Sequence, residues 1–343
     1  MNVYELTRAL VDIESISENE QAVAEYLFAY LRRLASQTGG QVERMETESG
    51  SRADSGRANV LIWWGEPRVT LSTHMDTVPP FFPSREDDEF IWGRGACDAK
   101  GIIAAMVAAA ERLLGEGTRN IALLFVVGEE RNSAGAMAAA RQPRGSRYLV
   151  NGEPTENRLA LASKGTLRLE AIARGRMAHS AYPELGESAI EKLLDALEAI
   201  RRVDLPHDDL LGPSTLNIGT ISGGRAPNVI PDSAKAELLV RLVGDPTPVR
   251  EAFARAVGTR AELNEVLYIP AIHFTTVDSL PTTVVSYTTD VPVFGRSWGE
   301  PLLLGPGSIH VAHTSEERIS KRELSEAVGL YAEIVKRLQA RAV

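Results

Sequence analysis

The sequence predicts an α/β protein interrupted by a smaller α+β domain, and three patterns lead to this prediction. Up to about residue 163, segments with helical periodicity alternate with short apolar runs typical of strands. From Lys164 the predicted order becomes β, α, β, β, α, β, which is that of a split βαβ, ferredoxin-like unit. After about Tyr268 the chain returns to the first pattern. We therefore expect one domain from residues 1–163 and 269–343, and an inserted domain from residues 164–268.

The first domain is predicted to begin with two helices and to continue with strands and helices in turn. The N-terminal segment MNVYELTRALVDIESIS has helical spacing, and IALLFVV is apolar throughout, as in a strand buried in a parallel or mixed sheet. A surface loop is expected at residues 50–57, which are rich in Arg, Ser and Gly. The other elements expected here are helices over 18–36, 102–114 and 321–341 and strands near Val60 and Val69.

The inserted domain carries alternating and helical patterns of its own. LRLEAIARG alternates apolar and polar residues, which predicts a half-buried strand. The further expectations are a helix over 188–202, strands over TLNIGTISGG and KAELLVRLV, and a helix from Pro248.

Composition and charge argue against several classes of protein. The chain has 37 basic and 46 acidic residues, a formal net charge of −9, which disfavours nucleic-acid binding. It has no run of about 18 apolar residues for a membrane span, and acids at Glu5, Asp12 and Glu14 are not expected in a signal peptide. Cys97 is the only cysteine, as is common in a reducing cytosol. We therefore expect a cytoplasmic protein that binds neither nucleic acid nor membrane.

A histidine and several acids stand where apolar runs end, which is where α/β enzymes carry their sites. In VTLSTHMDTVPP, His74 and Asp76 are two residues apart on an extended segment, so their side chains share a face. His74 can then bind a metal while Asp76 orients its ring. An ordinary polar pair would explain the same spacing.

Other acids follow similar runs. Asp98 lies in WGRGACDAKG just before a helical stretch, as a metal ligand or as an N-cap. Glu129 and Glu130 end IALLFVV, where adjacent carboxylates repel each other and lose solvation unless a cation lies nearby or the turn is solvated. Glu153 repeats the pattern in YLVNGEPT. Cys97, beside Asp98, is either a ligand or a small buried hydrophobe.

The segment PLLLGPGSIHVAHTSEERI supplies the last candidates. It contains His310 and His313, and one histidine is enough to complete a pair of metal sites. Their spacing does not choose between them. Gly305 and Gly307 either direct backbone N–H groups at a substrate carboxylate or form a tight turn.

Taken in order, these segments resemble the co-catalytic zinc aminoacylases and carboxypeptidases, the family of acetylornithine deacetylase and succinyl-diaminopimelate desuccinylase. The resemblance covers nearly the whole chain. It is carried by HMDTVP, GRGACDAKG, GEERNSAG, NGEPT, the KG of residues 164–165, AHSAYP, TLNIGTISGGRAPNVIP, VVSYTTDVPVF and GPGSIHVAHTSEERI. It is closest to acetylornithine deacetylases, whose final segment, GPGSIxxAHxxxE, places the ligand at His313 and makes His310 variable. The fold implied is a mixed-sheet zinc-hydrolase domain with an inserted lid and dimerisation domain.

The resemblance also implies a role for each candidate in the first domain. Asp76 would orient a ligand, and Glu129 would be the general base that takes a proton from the metal-bridging water and passes it to the leaving nitrogen. Two divalent ions are implied, with Zn²⁺ expected and Co²⁺ or Mn²⁺ able to substitute. The implied ligands are His74 and Glu153 on one ion, Glu130 and His313 on the other, and Asp98 bridging both.

In the inserted domain the resemblance implies three functional residues. His179 in GRMAHSAYP would stabilise the oxyanion of the intermediate, often from the partner subunit, unless it simply caps a turn. Asn228 and Arg241 would hold the carboxylate or carbonyl of the substrate, with a surface ion pair as the other reading of Arg241. The family commonly has an Asp two residues before this Arg, and here that residue is Leu239.

The function expected from the resemblance is removal of an N-acyl group, such as acetyl, from an α-amino acid by a dimeric two-metal amidohydrolase. N-acetylornithine is the first substrate to consider, which would give the protein a place in arginine biosynthesis. The alternatives are a dipeptidase or exopeptidase, or a succinyl-diaminopimelate-type desuccinylase, on the same scaffold. A non-catalytic metal-binding relative is disfavoured because Glu129 and all five implied ligands are present.

Overall fold

The computed structural model describes residues 1–47 and 56–341, which form two compact units. The first contains Met1–Leu161, Phe274–Thr283 and Thr289–Val343, and the second contains Ala162–His273 and Val284–Thr288. Most of the loop predicted at residues 50–57 lies outside the described residues. The predicted fold class, an α/β unit interrupted by an α+β unit, is confirmed.

The helices and strands are numbered here in chain order. Helices α1 to α8 are Val3–Val11, Gln21–Thr38, Lys100–Gly115, Ala134–Ala140, Ala189–Arg201, Thr247–Val257, Val291–Phe294 and Lys321–Ala340, and a 3₁₀ turn lies at Pro183–Leu185. Strands β1 to β20 are Gln41–Glu46, Ala58–Trp64, Val69–His74, Arg85–Glu86, Phe90–Trp92, Ile121–Val126, Tyr148–Asn151, Leu159–Ser163, Gly165–Arg174, Ala178–His179, His207–Asp208, Gly212–Pro213, Thr215–Gly223, Val229–Ile230, Ser233–Leu242, Glu262–Ile269, Ile272–His273, Thr282–Val285, Glu300–Leu303 and Arg318–Ser320.

The first unit is built on a mixed six-stranded sheet with the order β1-β2-β6-β3-β7-β19. The pairs β1/β2 and β2/β6 are antiparallel, whereas β6, β3, β7 and β19 run parallel to their neighbours. The carboxyl ends of these parallel strands therefore meet at one edge of the sheet. His74 ends β3, and the segments that follow β6, β7 and β19 begin at the same edge.

Successive residues of the strands point to opposite faces of this sheet, and helices cover both faces. On one face, Ile62 and Leu123 join a core that includes residues of α1, α2, α3 and α8. On the other face, Leu61 and Leu124 pack with residues of α4 and α7. Both faces of the sheet are therefore excluded from solvent, which explains why β6 is apolar at every position.

The second unit has an antiparallel sheet with the order β13-β15-β9-β16. Leu167 and Leu169 of β9 alternate into a core that also holds Leu193 of α5 and Phe253 of α6. The chain order β9, α5, β13, β15, α6, β16 is the one predicted for a split βαβ unit.

The second unit extends beyond the predicted limits of 164 and 268. Ile272 of β17 pairs with Ser163 of β8, so the chain remains in this unit as far as His273. The segment Val284–Thr288 also belongs to it, and the Lys164 N–H donates to the Val285 carbonyl at 3.2 Å. Pairings of only two residues carry no periodicity, which is why the sequence pattern did not reveal them.

Within the residues described, no helix is both long enough and apolar enough to cross a bilayer.

Candidate metal centre

Asp98 lies between two imidazole rings in the first unit. Its Oδ1 is 2.9 Å from Nε2 of His74, and its Oδ2 is 3.3 Å from Nε2 of His313. His313 also places Nε2 2.8 Å from Oε1 of Glu130. One ligand atom each from His74, Asp98 and Glu130 lie within 4.8 Å of one another, a spacing suited to a shared cation. A carboxylate flanked in this way can offer one oxygen beside one imidazole nitrogen to each of two cations.

The fold explains why these side chains meet. His74 ends β3, and Glu130 follows β6, the parallel neighbour of β3. Asp98 precedes α3, which begins at Lys100 with Ala99 as its N-cap residue and no side-chain cap, so the N-cap reading of Asp98 is not realised. His313 has a φ of +63°, an uncommon conformation for a residue with a side chain.

Asp76 connects His74 to the segment that carries the two adjacent glutamates. The Nδ1 of His74 is 3.0 Å from the Asp76 carbonyl oxygen and 3.5 Å from its carboxylate. The same carboxylate accepts the N–H groups of Glu129 at 3.0 Å and Glu130 at 3.1 Å, and the Ser17 hydroxyl at 2.6 Å. Asp76 thus fixes the backbone of Glu129 and Glu130, a contact that was not predicted from its spacing to His74.

Several acids of the centre are costly to ionise. Burial and the charge of Glu153 raise the pKa of Glu129 well above its usual value. Burial likewise raises the pKa of Glu153 well above the ordinary range and, to a lesser degree, that of Glu130. Oε1 of Glu153 is buried and meets no hydrogen-bond donor among the described residues. Without a cation, ionising these acids carries both desolvation and mutual repulsion.

The pKa values of the two histidines are raised as well, which for an imidazole favours the charged form. Burial opposes protonation of His74, but its hydrogen bonds with Asp76 and Asp98 outweigh this and raise its pKa well above the usual value. Hydrogen bonds to Asp98 and Glu130 raise the pKa of His313 to about 10. Burial alone would raise the pKa of Asp98, but the contacts with His313 and His74 hold it below its ordinary range. Without a cation, the neighbouring carboxylates thus favour protonation of both imidazole rings, whereas a histidine that binds a metal ion must be neutral.

This donor set fits divalent metal ions. It combines imidazole nitrogens with carboxylate oxygens, which suit Zn²⁺ and related ions. The buried oxygen of Glu153 that lacks a donor is an acceptor for which a cation would be a partner. A bound cation would also relieve the repulsion among the buried carboxylates.

Two other candidates near the centre receive different assignments. His310 is exposed and forms no hydrogen bond or ion pair with Asp98 or Glu130 in the described chain. Cys97 is fully buried, with Sγ 3.4 Å from the Ser308 carbonyl oxygen, as expected of a small core residue.

The backbone N–H groups of Gly305 and Gly307, predicted to face a substrate carboxylate or to form a turn, are both engaged within the protein. The Gly305 N–H donates to the Thr155 hydroxyl at 3.0 Å, and the Gly307 N–H donates to Glu323 at 2.8 Å. Both glycines are buried. These contacts support the tight-turn alternative over direct substrate binding.

The remaining predicted residues belong to the second unit. His179 is exposed on β10, which pairs with β14, and the Ser180 N–H donates to the Asn228 carbonyl at 3.0 Å, so His179 and Asn228 are neighbours. Nδ1 of His179 accepts the Ala181 N–H at 3.1 Å. Arg241 lies on β15 and donates to the Thr166 hydroxyl at 2.9 Å. Among the described residues Arg241 forms no salt bridge, so the surface ion-pair reading is not realised.

Comparison with known proteins identifies the family. The model of peptidase family M20/M25/M40 matches residues 70–337. The chain belongs to peptidase family M20/M25/M40. A peptidase M20 domain-containing protein of Schizosaccharomyces pombe is 37% identical over 343 residues, covering 97% of this chain and 84% of that protein. A probable carboxypeptidase of Aspergillus flavus is 36% identical over 370 residues, covering 96% and 85%. The fold is similar to that of a Staphylococcus aureus tripeptidase, with a TM-score of 0.81 at 21% identity and coverage of 99% and 98%.

As a member of the M20/M25/M40 family, the chain is a metal-dependent hydrolase that acts on amide bonds.

One residue near the metal centre, Asp290, was not predicted from the sequence. Asp290 is 1% exposed, and its carboxylate oxygens make no hydrogen bond of good geometry among the described residues, although the Ser133 side chain lies close to them. Burial raises the pKa of Asp290 to about 7, and the charges that act on it include those of His74 and Glu130. The available signal was VVSYTTD, another acid shortly after a strand.

Proposed function

We propose that this M20 peptidase is a two-metal amidohydrolase that cleaves the amide bond next to a free α-carboxylate, as in an N-acyl amino acid. The observation that carries the proposal is the position of Asp98, with His74 at one carboxylate oxygen and His313 at the other. Such a carboxylate is suited to bridge two cations. The buried acids around it supply further donors.

The proposed ligands divide between the two ions as the resemblance implies. His74 and Glu153 would hold one ion, Glu130 and His313 would hold the other, and Asp98 would contact both. When bound, two divalent ions supply Lewis-acid polarisation of the scissile carbonyl and of the attacking water. Zn²⁺ is the ion proposed first, with Co²⁺ or Mn²⁺ as substitutes.

Glu129 is the proposed general base. Asp76 holds the N–H groups of both Glu129 and Glu130, and the Glu130 side chain is engaged with His313, which supports a separate task for Glu129. A base with a raised pKa accepts a proton from the attacking water and can later donate it to the leaving nitrogen. His179, Asn228 and Arg241 are proposed to contact the substrate, with Arg241 available as a carboxylate partner.

Histidine substitution tests the metal centre directly. His313→Ala is expected to lower the metal content of the purified protein, because it removes a nitrogen that faces both Asp98 and Glu130. His310→Ala is the matched control and is expected to keep the wild-type content. Metal analysis after loading with Zn²⁺ measures both variants. Loss of metal in the His310 variant alone would overturn the assignment.

For the substrate, an N-acyl amino acid is the first proposal, with N-acetylornithine as its first example. This rests on the segment GPGSIHVAH, which resembles acetylornithine deacetylases. A carboxypeptidase or dipeptidase is the second proposal, and it is favoured by the name of the Aspergillus flavus relative. Both reactions use the same chemistry at the centre and differ only in the pocket.

A substrate panel separates these possibilities. The metal-loaded protein is incubated with N-acetyl amino acids including N-acetylornithine, with N-blocked dipeptides, with unblocked dipeptides and with N-succinyl-diaminopimelate, and released amines are quantified. Turnover of acetyl amino acids above the rest supports deacylation, and preferential release of C-terminal residues from blocked dipeptides supports a carboxypeptidase. If no member of the panel is hydrolysed, the proposal is overturned.

We also propose a homodimer formed through the second unit and a location in the cytoplasm. The edge strand β13 and the helix α5 expose large apolar side chains, including Ile221 at 56% and Leu194 at 53%, which supports a contact through this surface. Sedimentation of Leu194→Glu against wild type tests the dimer, because a charge there should produce monomers. The single cysteine supports the proposed location.

A further inference from the structure

A buried ion pair between Glu317 and Arg94 lies beside the proposed metal ligands without being one of them. Glu317 is 0% exposed and Arg94 is 2% exposed. Nη1 of Arg94 donates to Oε2 of Glu317 at 2.5 Å. A buried ion pair adds little net stability, because desolvation offsets most of the attraction. The other contacts of the pair indicate what else it does.

The second carboxylate oxygen of Glu317 binds the backbone that leads into Asp98. Oε1 accepts the N–H groups of Gly95 at 2.9 Å, Cys97 at 3.3 Å and Asp98 at 3.2 Å. The main-chain carbonyl of Glu317 accepts the Gly93 N–H at 3.1 Å. One residue thus binds four N–H groups of a six-residue segment, residues 93–98, and the last of them belongs to Asp98 itself.

Glu317 also stands four residues after His313 in the chain. Glu317 and Asp98 are 219 residues apart in the chain, yet they are joined directly. His313 Nε2 is 3.3 Å from Asp98 Oδ2. The contacts of Glu317 therefore connect the backbone that carries Asp98 to the segment that carries His313.

Arg94 extends this attachment to a third segment. Its Nε donates to the Pro80 carbonyl at 3.2 Å, and its guanidinium lies over the Phe82 ring with 5.0 Å to the centroid. Residues 80–82 follow His74 and Asp76 in the chain. The pair thus touches the three segments that hold His74, Asp98 and His313.

We propose that Glu317 is a positioning residue for the metal centre: its carboxylate, held by Arg94, sets the backbone of residues 93–98 so that Asp98 can meet two cations. The inference rests on the proposed metal centre. Without the acceptor oxygen, three buried N–H groups lose their partner and the segment must rearrange to satisfy them. Partners that orient a metal ligand are typically worth about 10–100-fold in metal affinity.

Two double variants isolate the acceptor oxygen. Arg94→Met with Glu317→Gln removes both charges and keeps a carbonyl oxygen for the three N–H groups. Arg94→Met with Glu317→Leu removes the charges and the oxygen. Affinity for Zn²⁺ is measured by competition with a chelator, and folding is checked by circular dichroism. The Gln variant should bind within about threefold of wild type, and the Leu variant about 10–100-fold more weakly.

The buried pair of Arg57 and Glu20 provides a matched control in the same unit. These residues are 7% and 0% exposed and form two hydrogen bonds, of 2.7 and 2.8 Å. Neither residue hydrogen-bonds to the backbone of a proposed ligand in the described chain, although Arg57 lies beside Gly128, two residues before Glu130. Arg57→Met with Glu20→Leu should therefore retain wild-type metal affinity while losing a comparable ion pair.

Each result either supports or overturns the positioning role of Glu317. Equal affinities of the Gln and Leu variants, whether both normal or both weak, would overturn the role of the oxygen. An equal loss in the control would also overturn it, because general destabilisation would then be the cause. If the Leu variant does not fold, a tenfold loss in a folded Gln variant overturns the inference and near-wild-type affinity supports it. A wild type that binds fewer than two ions refutes the proposed function instead.

Discussion

Glu129 and Glu130 are adjacent in the chain, but their side chains have different surroundings. Glu130 Oε1 is 2.8 Å from His313 Nε2. The pKa of Glu129 is raised by burial and by the charge of Glu153. Asp76 holds both backbone N–H groups, so the difference lies in the side chains alone. A ligand and a base can therefore come from one dipeptide.

Glu129→Gln is expected to lower kcat by about 10²–10⁴-fold and to leave the metal content unchanged, because it removes a base and no proposed ligand. The measurement is turnover of the best substrate in the panel together with metal analysis. Glu130→Gln is the comparison and should lose metal. Turnover of the Glu129 variant within tenfold of wild type would contradict its assignment as the base.

Asp290 offers a test by pH, because burial raises its pKa in the folded protein to about 7 from an ordinary value of 3.8. The folded state then holds an extra proton between these values, so the contribution of Asp290 to stability falls as pH rises from about 4 to about 7. Asp290→Asn cannot titrate. The free energy of unfolding of the variant relative to wild type should therefore be higher at pH 8 than at pH 4, by an amount on the order of a few kcal/mol. The relative melting temperature should rise in the same direction.

Thermal unfolding of both proteins at the two pH values measures this difference. Asp204→Asn, which replaces an exposed acid outside the centre, controls for the loss of one carboxylate. The same difference between Asp290→Asn and wild type at both pH values would contradict the raised pKa.

The turn between β6 and α4, which carries Glu129 and Glu130, is held by β2, the antiparallel neighbour of β6. Asn59 of β2 donates to the Gly135 carbonyl at 2.8 Å and accepts the Val127 N–H at 3.2 Å. A Cβ added at Gly135 would lie 2.4 Å from Asn59 Oδ1 and 2.5 Å from the Val127 nitrogen. The start of α4 is thus packed against this bridge without room for a methyl group.

Gly135→Ala should destabilise the protein by about 1–3 kcal/mol, because the methyl group must displace Asn59 or the backbone. Gly329→Ala, within α8, is the matched control, since its nearest neighbour would be 3.9 Å away. The control should be neutral or stabilising by up to about 1 kcal/mol, from helix propensity. Urea unfolding of both variants measures the contrast, and equal effects would refute it.

Elements with strong periodicity could be predicted from the sequence. IALLFVV is β6 with one residue added, and the helix predicted over 102–114 is α3. Short pairings such as Ile272 with Ser163 could not be predicted, because two residues show no period. In the centre, acids at strand ends were visible as candidates. The hydrogen bond of Ser17 to Asp76 and that of Asn59 to the Val127 N–H were not, since each joins residues more than 50 positions apart.

Because several acids are buried together, we expect the stability of the whole molecule to depend on bound metal. The formal net charge is −9, and the pKa values of Glu129, Glu130 and Glu153 are all raised by burial. A cation that binds only the folded state stabilises it by about 2.7 kcal/mol per site at 100 times its Kd. Removing metal with a chelator should therefore lower the melting temperature, and adding Zn²⁺ back should restore it.

Calorimetric scans of wild type and of Asp98→Ala, with chelator and with Zn²⁺, measure this linkage. The variant should respond much less to metal, because it lacks the proposed bridging carboxylate. An equal response of both proteins would place the stabilising ion elsewhere.

Because the chain returns to the first unit after the second, the residues of the proposed metal centre are synthesised at different times. Glu153 leaves the ribosome long before His313 and Glu317, which follow the inserted residues 162–273. At about 5–20 residues per second, the delay is roughly 10–30 s. During that interval the nascent chain already holds His74, Asp98 and the three glutamates, but lacks the last histidine and the carboxylate that fastens residues 93–98. Complete metal loading of the proposed centre therefore requires that His313 has already been synthesised.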